Sequence, residues 1–239
     1  MKKKILLAVV GLAILPVTAQ ASLQLKLDFG GSNTYTVADG ASGDLVIVTG
    51  VDSTSYSFGG WLVDIVTGSN IGGSATSPSL SLTSFNLSFA GPGTGFSATP
   101  LKIYLTDTGY ASTAHGKFDL GFGGTQLSGA TITSKYFYDT ANNAFAETYQ
   151  IGTTETFTST SYSSNQLDAG PGGVISGPYS LTMETNITNT PNGYFTTQFT
   201  STLAAGSLSA VPVPAAVWLF GTGLMGLLYS GKRKQQLIA

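Results

Sequence analysis

A single histidine, His115, occurs in the chain, and there is no cysteine. These two counts decide most of the chemistry open to it. A thiolate nucleophile, a disulfide and a Cys-bound metal are excluded, and a Ser-His-Asp triad would have to run through His115. Its sequence neighbours Ser112 and Asp119 carry no nucleophile-elbow motif. Zinc would find one imidazole and otherwise only carboxylates. His115 therefore reads as a surface-loop residue. Asp107-Thr108-Gly109 follows Ile103-Tyr-Leu-Thr106 and has the local look of an aspartic-protease strand end. That mechanism needs two carboxylates sharing a proton, and the motif occurs once. The same residues make an ordinary turn after a strand.

Asp39 and Asp44 bracket a short Gly-rich loop and would offer calcium two hard oxygen donors. A plain turn accounts for the same spacing, because the alternating acids of an EF-hand and the nonapeptide calcium repeat are both absent. Trp61, Tyr136, Phe137 and Tyr138 are candidates for a carbohydrate-stacking platform, although strand aromatics pack into a core more readily. No catalytic constellation and no cofactor motif is present, so the reading is non-enzymatic. A secreted hydrolase is the alternative, and it would need His115 or a carboxylate pair in a cleft.

Charge narrows the partners. Charged residues make up 9% of the 239, against roughly a quarter in ordinary globular chains. Six of the ten basic residues sit at the extreme ends: Lys2, Lys3, Lys4, Lys232, Arg233 and Lys234. Between them four lysines face all twelve acids, from Asp28 to Glu184, a formal charge of 4 − 12 = −8. So acidic a region repels polyphosphate, and no nucleic acid is expected as a partner.

The ends have their own logic. Lys2–Lys4 lead into the apolar run Ile5–Val17, 13 residues long and too short to span a bilayer, and then Ala19 and Ala21 stand at the small-residue positions of a signal-peptidase site. Residues 1–21 are thus expected to be a signal peptide. At the other end, Val211 to Tyr229 carries no charge and is followed by Lys232, Arg233 and Lys234. Pro214 suits the first turn of a helix over about 214–230. The 16 residues from Pro214 to Tyr229 span roughly 24 Å at 1.5 Å each, a little under the bilayer's apolar thickness. The basic cluster is the membrane stop, and the positive-inside rule leaves the domain outside and 235–239 as a cytoplasmic tail. Trp218 and Tyr229 suit the interfaces, and Thr222, Gly226 and Ser230 form a small-residue stripe.

The Pro-x-Pro pair within Val211, Pro212, Val213 and Pro214, the run Trp218-Leu-Phe-Gly-Thr-Gly-Leu224 and the terminal Lys232–Lys234 together resemble the PEP-CTERM sorting signal of Gram-negative bacteria. The variant it is similar to is written Val-Pro-Leu-Pro-Ala. Val213 stands where the family's naming motif has glutamate, and Gln235–Ala239 extends past the basic cluster. The resemblance implies an exosortase as processing enzyme, cutting near Pro212–Pro214, a transient inner-membrane anchor, and release to the cell surface or extracellular matrix. Residues 210–234 form that signal. Tyr35-Thr-Val-Ala-Asp-Gly40, Gly60-Trp-Leu-Val-Asp-Ile-Val-Thr-Gly68, Leu105-Thr-Asp-Thr-Gly109 and Gly177-Pro-Tyr-Ser-Leu-Thr182 also resemble an exported domain recurrent among PEP-CTERM proteins, and that likeness brings no activity with it.

What must position any site is residues 22–209, where apolar residues alternate between turn signals. Leu23, Leu25, Leu27 and Phe29 keep one phase; Leu80 and Leu82 change phase to Phe85, Leu87 and Phe89, which implies a bulge or break at Thr83–Ser84. Further strands are expected at 44–49, 61–67, 101–106, 117–122, 131–138, 144–151, 179–188 and 194–203, with turns at Gly30–Asn33, Ala90–Gly95, Gly170–Gly173 and Pro191–Gly193. About ten strands and no helix predict an antiparallel β-sandwich, jelly-roll-like in topology. Its expected role is that of a surface or matrix protein; a carbohydrate-binding module on exopolysaccharide is the alternative.

Overall fold

Leu23, Leu25, Leu27 and Phe29 all turn inward at under 3% exposure while Gln24, Lys26 and Asp28 stay partly solvated, so the period-two pattern specifies both strand and face. The computed structural model describes residues 22–206, apart from 47, 72, 91–98, 114, 128 and 189–193. It holds twelve strands: β1 Gln24–Asp28, β2 Thr34–Ala38, β3 Val51–Phe58, β4 Trp61–Ser69, β5 Ser79–Ala90, β6 Leu101–Tyr110, β7 Phe118–Gln126, β8 Thr131–Asp139, β9 Tyr149–Phe157, β10 Ser161–Ala169, β11 Tyr179–Thr188 and β12 Tyr194–Ala205. The signal peptide with Ala19 and Ala21, the motif Val211–Pro214, the helix about 214–230 and Lys232–Lys234 lie outside the described residues. Among the described residues no helix is long and apolar enough to cross a membrane.

The strands form two antiparallel six-stranded sheets, ordered β2-β1-β6-β11-β8-β9 and β10-β7-β12-β5-β4-β3. Within them β5-β12-β7-β10 and β6-β11-β8-β9 follow the order in which eight strands exchange between the sheets of a jelly roll. β1 and β2 extend one sheet beyond β6, and β4 and β3 extend the other beyond β5. One apolar cluster drawn from both sheets fills the space between them. The sheets come so close at Gly68 that a Cβ there would run into the Leu105 side chain. Tyr136 crosses the layer, its hydroxyl donating to the Gly121 carbonyl at 2.8 Å and lying 3.0 Å from Ser201 Oγ.

The phase change in β5 is a bulge within one continuous strand. Phe199 faces Ser84 and Thr197 faces Leu87, so two residues of β5 oppose Gln198, and the inward set passes from Leu80, Leu82 and Ser84 to Leu87 and Phe89. Three expectations need correction. The described residues of 44–49 form no strand, because Asp44 Oδ1 takes the N–H groups of Val46 and Ser53, and among them only Val48 forms an isolated bridge. Residues 144–148 are a loop, with β9 starting at Tyr149. Asp139 organises that loop by accepting from the Asn143 N–H and side chain and from Thr148 Oγ1. Asp107-Thr108-Gly109 lies inside β6 instead of following a strand; Thr108 and Gly109 bulge against Ser180, with Gly109 at φ +88°.

Burial alone would push Asp139 up, but the N–H of Asn143, the Thr148 hydroxyl, the N–H of Ala141 and the Asn143 amide together hold its carboxyl below the ordinary range. A depressed folded value adds stability that is present above the ordinary carboxylate pKa and lost as pH falls through the folded one. Asp139→Ala is therefore expected to cost about 2–3 kcal/mol at pH 7 by orphaning those donors, with the gap between the two proteins narrowing as pH falls and the carboxyl protonates. Denaturant unfolding of both across pH 2–7 checks it.

Candidate metal centre

Asp39 directly follows β2, Asp44 lies in the connection, and Asp52 is the second residue of β3. β2 and β3 belong to different sheets, so three carboxylates gather where the chain crosses from one to the other. One oxygen from each lies within 4.8 Å of the others.

Local chemistry shapes the crossing. Ala41 donates its N–H to Ala38 O at 2.8 Å and Asp44 donates to Ala41 O at 3.1 Å, giving two successive turns. Asp44 then serves as a backbone cap: Oδ1 accepts from Val46 and Ser53 at 3.0 Å each, and Oδ2 from Gly40 at 3.2 Å. Asp39 Oδ2 accepts from the Gly50 N–H at 2.7 Å. Gly50 has φ +83°, and a Cβ on it would meet the Asn70 side chain, so both conformation and space call for glycine.

Asp52 differs from its neighbours. It is 0% exposed, and neither carboxylate oxygen accepts a hydrogen bond in good geometry. Burial first, then the charges of Asp44, Asp39 and Asp107, push it up to about 7; the Leu25 backbone N–H, the weakest influence, is what pulls the other way. Among the described residues the ion pairs are those of Lys102 and Lys135 with Glu184, at 3.6 and 3.8 Å, so no lysine offsets these aspartates.

A fourth carboxylate stands behind the three. Asp107 is fully buried, with Oδ1 accepting from the Thr108 N–H at 2.9 Å and Oδ2 from Asn70 Nδ2 at 2.8 Å and Tyr110 OH at 2.7 Å. Burial raises its pKa, and these donors act against that. A pocket of about 190 Å³ opens over Asn70, Asp107 and Tyr110. Asn70 also donates its backbone N–H to Gly50 O at 3.0 Å, so a single residue links the crossing to Asp107.

The other candidates disperse. His115 is exposed, and no hydrogen bond joins it to Ser112, which accepts from Gly177 N–H, or to Asp119, which accepts from Asp168 N–H. Trp61, Tyr136 and Phe137 are buried at 1%, 1% and 5%, so they build the core and no stacking platform. Tyr138 is half-buried and stacks on Tyr149 at 5.0 Å between ring centres, with Tyr149 49% exposed. The pair borders a cleft of about 590 Å³ that includes Gln150, Thr153 and Pro171. Asp52 and Tyr149 are the residues that sequence reasoning passed over. One signal pointed to the first: between Lys26 and Lys102 there are five acids and no Lys, Arg or His.

No protein-family model matches the chain, and no curated protein matches it. Two solved structures show a distant likeness. TmCBM61 in complex with beta-1,4-galactotriose is 9% identical, with a TM-score of 0.29, over 67% of this chain and 90% of that one. The enzymatically active domain of tailspike protein 4 of bacteriophage CBA120 is 17% identical, with a TM-score of 0.24, over 62% of this chain and 18% of that one.

Asn70 is the hinge of the polar network, so its loss is expected to be costly. Asn70→Ala should lower stability by about 2–3 kcal/mol by taking a donor from buried Asp107, and Asn70→Asp by more, since it adds a carboxylate to the group. Chemical denaturation of both variants at pH 7 measures the difference.

Proposed function

We propose that this chain is an exported, non-enzymatic surface or extracellular-matrix protein. Residues 1–21 direct export, 210–234 anchor it in the inner membrane with the β-sandwich outside, and an exosortase cuts near Pro212–Pro214. The observation that carries this reading is the order at the C-terminus, Val211-Pro-Val-Pro214, then an uncharged run, then Lys232–Lys234, opposite an N-terminus of three lysines and a short apolar run. The sandwich suits the role, since an apolar cluster fills its interior and it meets solvent mainly through Ser, Thr and Gly. The mass of the intact protein recovered outside the cell, from strains with and without the exosortase, tests it. The expected form starts at Ser22 and lacks Trp218–Lys234; a mature form that keeps them refutes the sorting reading.

A second reading is supported by the Tyr138–Tyr149 stack: an exopolysaccharide-binding module that uses the rim of β8 and β9. A half-exposed aromatic ring beside Gln150 and Thr153 offers a sugar an apolar face and hydrogen-bonding groups together. Tyr149→Ala is expected to weaken retention on the organism's own exopolysaccharide several-fold without changing the melting temperature. Wild-type protein that is not retained removes this reading.

A further inference from the structure

We propose that Asp39, Asp44 and Asp52 bind one Ca²⁺ ion that ties the β2–β3 crossing to both sheets. What points to an ion is Asp52, wholly buried, with neither oxygen accepting a hydrogen bond in good geometry and one of them within reach of the other two carboxylates. An ionised carboxylate in that position needs a cation or a set of donors, and the described residues bring it no lysine and no more than the poorly aligned Leu25 N–H. Asp39 and Asp44, by contrast, are held by backbone N–H groups, which still leave Asp39 Oδ1 and a lone pair of Asp44 Oδ2 free to accept.

The donor set selects the ion. Three carboxylates with no nitrogen or sulfur ligand are hard donors, which suit calcium or magnesium and disfavour zinc. Oxygens about 2.4 Å from a common calcium stand at most about 4.8 Å apart, and these lie within 4.8 Å. Magnesium demands near-ideal octahedral geometry at 2.0–2.1 Å and dehydrates reluctantly, whereas calcium accepts the irregular oxygen set that a turn, a loop and a strand present here. Three charges against two leave the site weakly anionic, so an affinity in the extracellular range, on the order of 10⁻⁴ M, is expected. The ion would connect the end of β2 in one sheet to the start of β3 in the other, at a crossing whose backbone makes few ladder bonds of its own.

Calorimetric titration and thermal melting of the purified full chain, stripped of divalent ions with EGTA, test the site. One calcium is expected to bind per chain, and 10 mM CaCl₂ to raise the melting temperature by about 5–10 °C, with MgCl₂ at least tenfold weaker. Asp52→Asn should abolish the calcium response while raising the metal-free melting temperature at pH 8, because it removes the unpaired charge. Asp39→Asn should lose the calcium response while still folding, since its amide oxygen can keep the Gly50 bond. A wild-type chain indifferent to calcium, or an Asp52→Asn chain that still responds, overturns the site; an equal response to magnesium overturns the choice of ion.

Discussion

Two facing sheets hold this domain together by burying alternate side chains, and with no cysteine there is no cross-link to share the task. Burial at about 25 cal/mol per Å² of apolar surface must therefore outweigh the chain entropy unaided. That constraint explains why so much of the sequence alternates. It also sets a strict rule for any polar group inside the layer, which must find its partners there or destabilise the whole.

The buried polar groups obey the rule to different degrees. Tyr136 meets Gly121 and Ser201 across the sheets and acts as a tie between them. Asp107 is matched by three donors from Thr108, Asn70 and Tyr110. Glu184, under the loop that follows β8, lies between Lys102 and Lys135, although burial, then Glu147, still raises its pKa. Asp52 alone among these carboxylates has neither a well-aligned donor nor a cation beside it. It sits at the start of β3, just after the connection from β2 in which the backbone runs through turns. Aspartate side chains supply the acceptors that neighbouring strands supply elsewhere, which concentrates negative charge at the crossing.

The jelly-roll exchange of β5–β12 accounts for the position of this crossing. Those eight strands close the two-sheet core, and β1–β4 add two strands to the flank of each sheet. The β2–β3 connection is thus the one place where this N-terminal addition spans both layers, while β10 and β9 form the opposite edges and carry the exposed Tyr149. Architecture separates the two regions of interest, an acidic crossing at one flank and an aromatic rim at the other.

Sequence by itself determined the all-β class, the inward face of β1, the alternation and change of phase in β5, and the approximate extents of β8, β11 and β12, because the burial period of a strand is local and each Leu or Phe records its own side. It missed β2, β3 and β10, which are three of the four sheet edges. An edge strand packs against one neighbour and little core, so Thr34–Ala38 and Ser161–Ala169 have no need of an apolar ladder. Asp39 and Asp44 were legible as a pair from their spacing. Asp52 was not, because its meeting with them depends on which sheet β3 joins, and that choice is made by long-range pairing with β4. Only the tertiary structure could decide it: periodicity reports which side of a strand is buried, whereas a site built across two sheets depends on where the chain crosses between them.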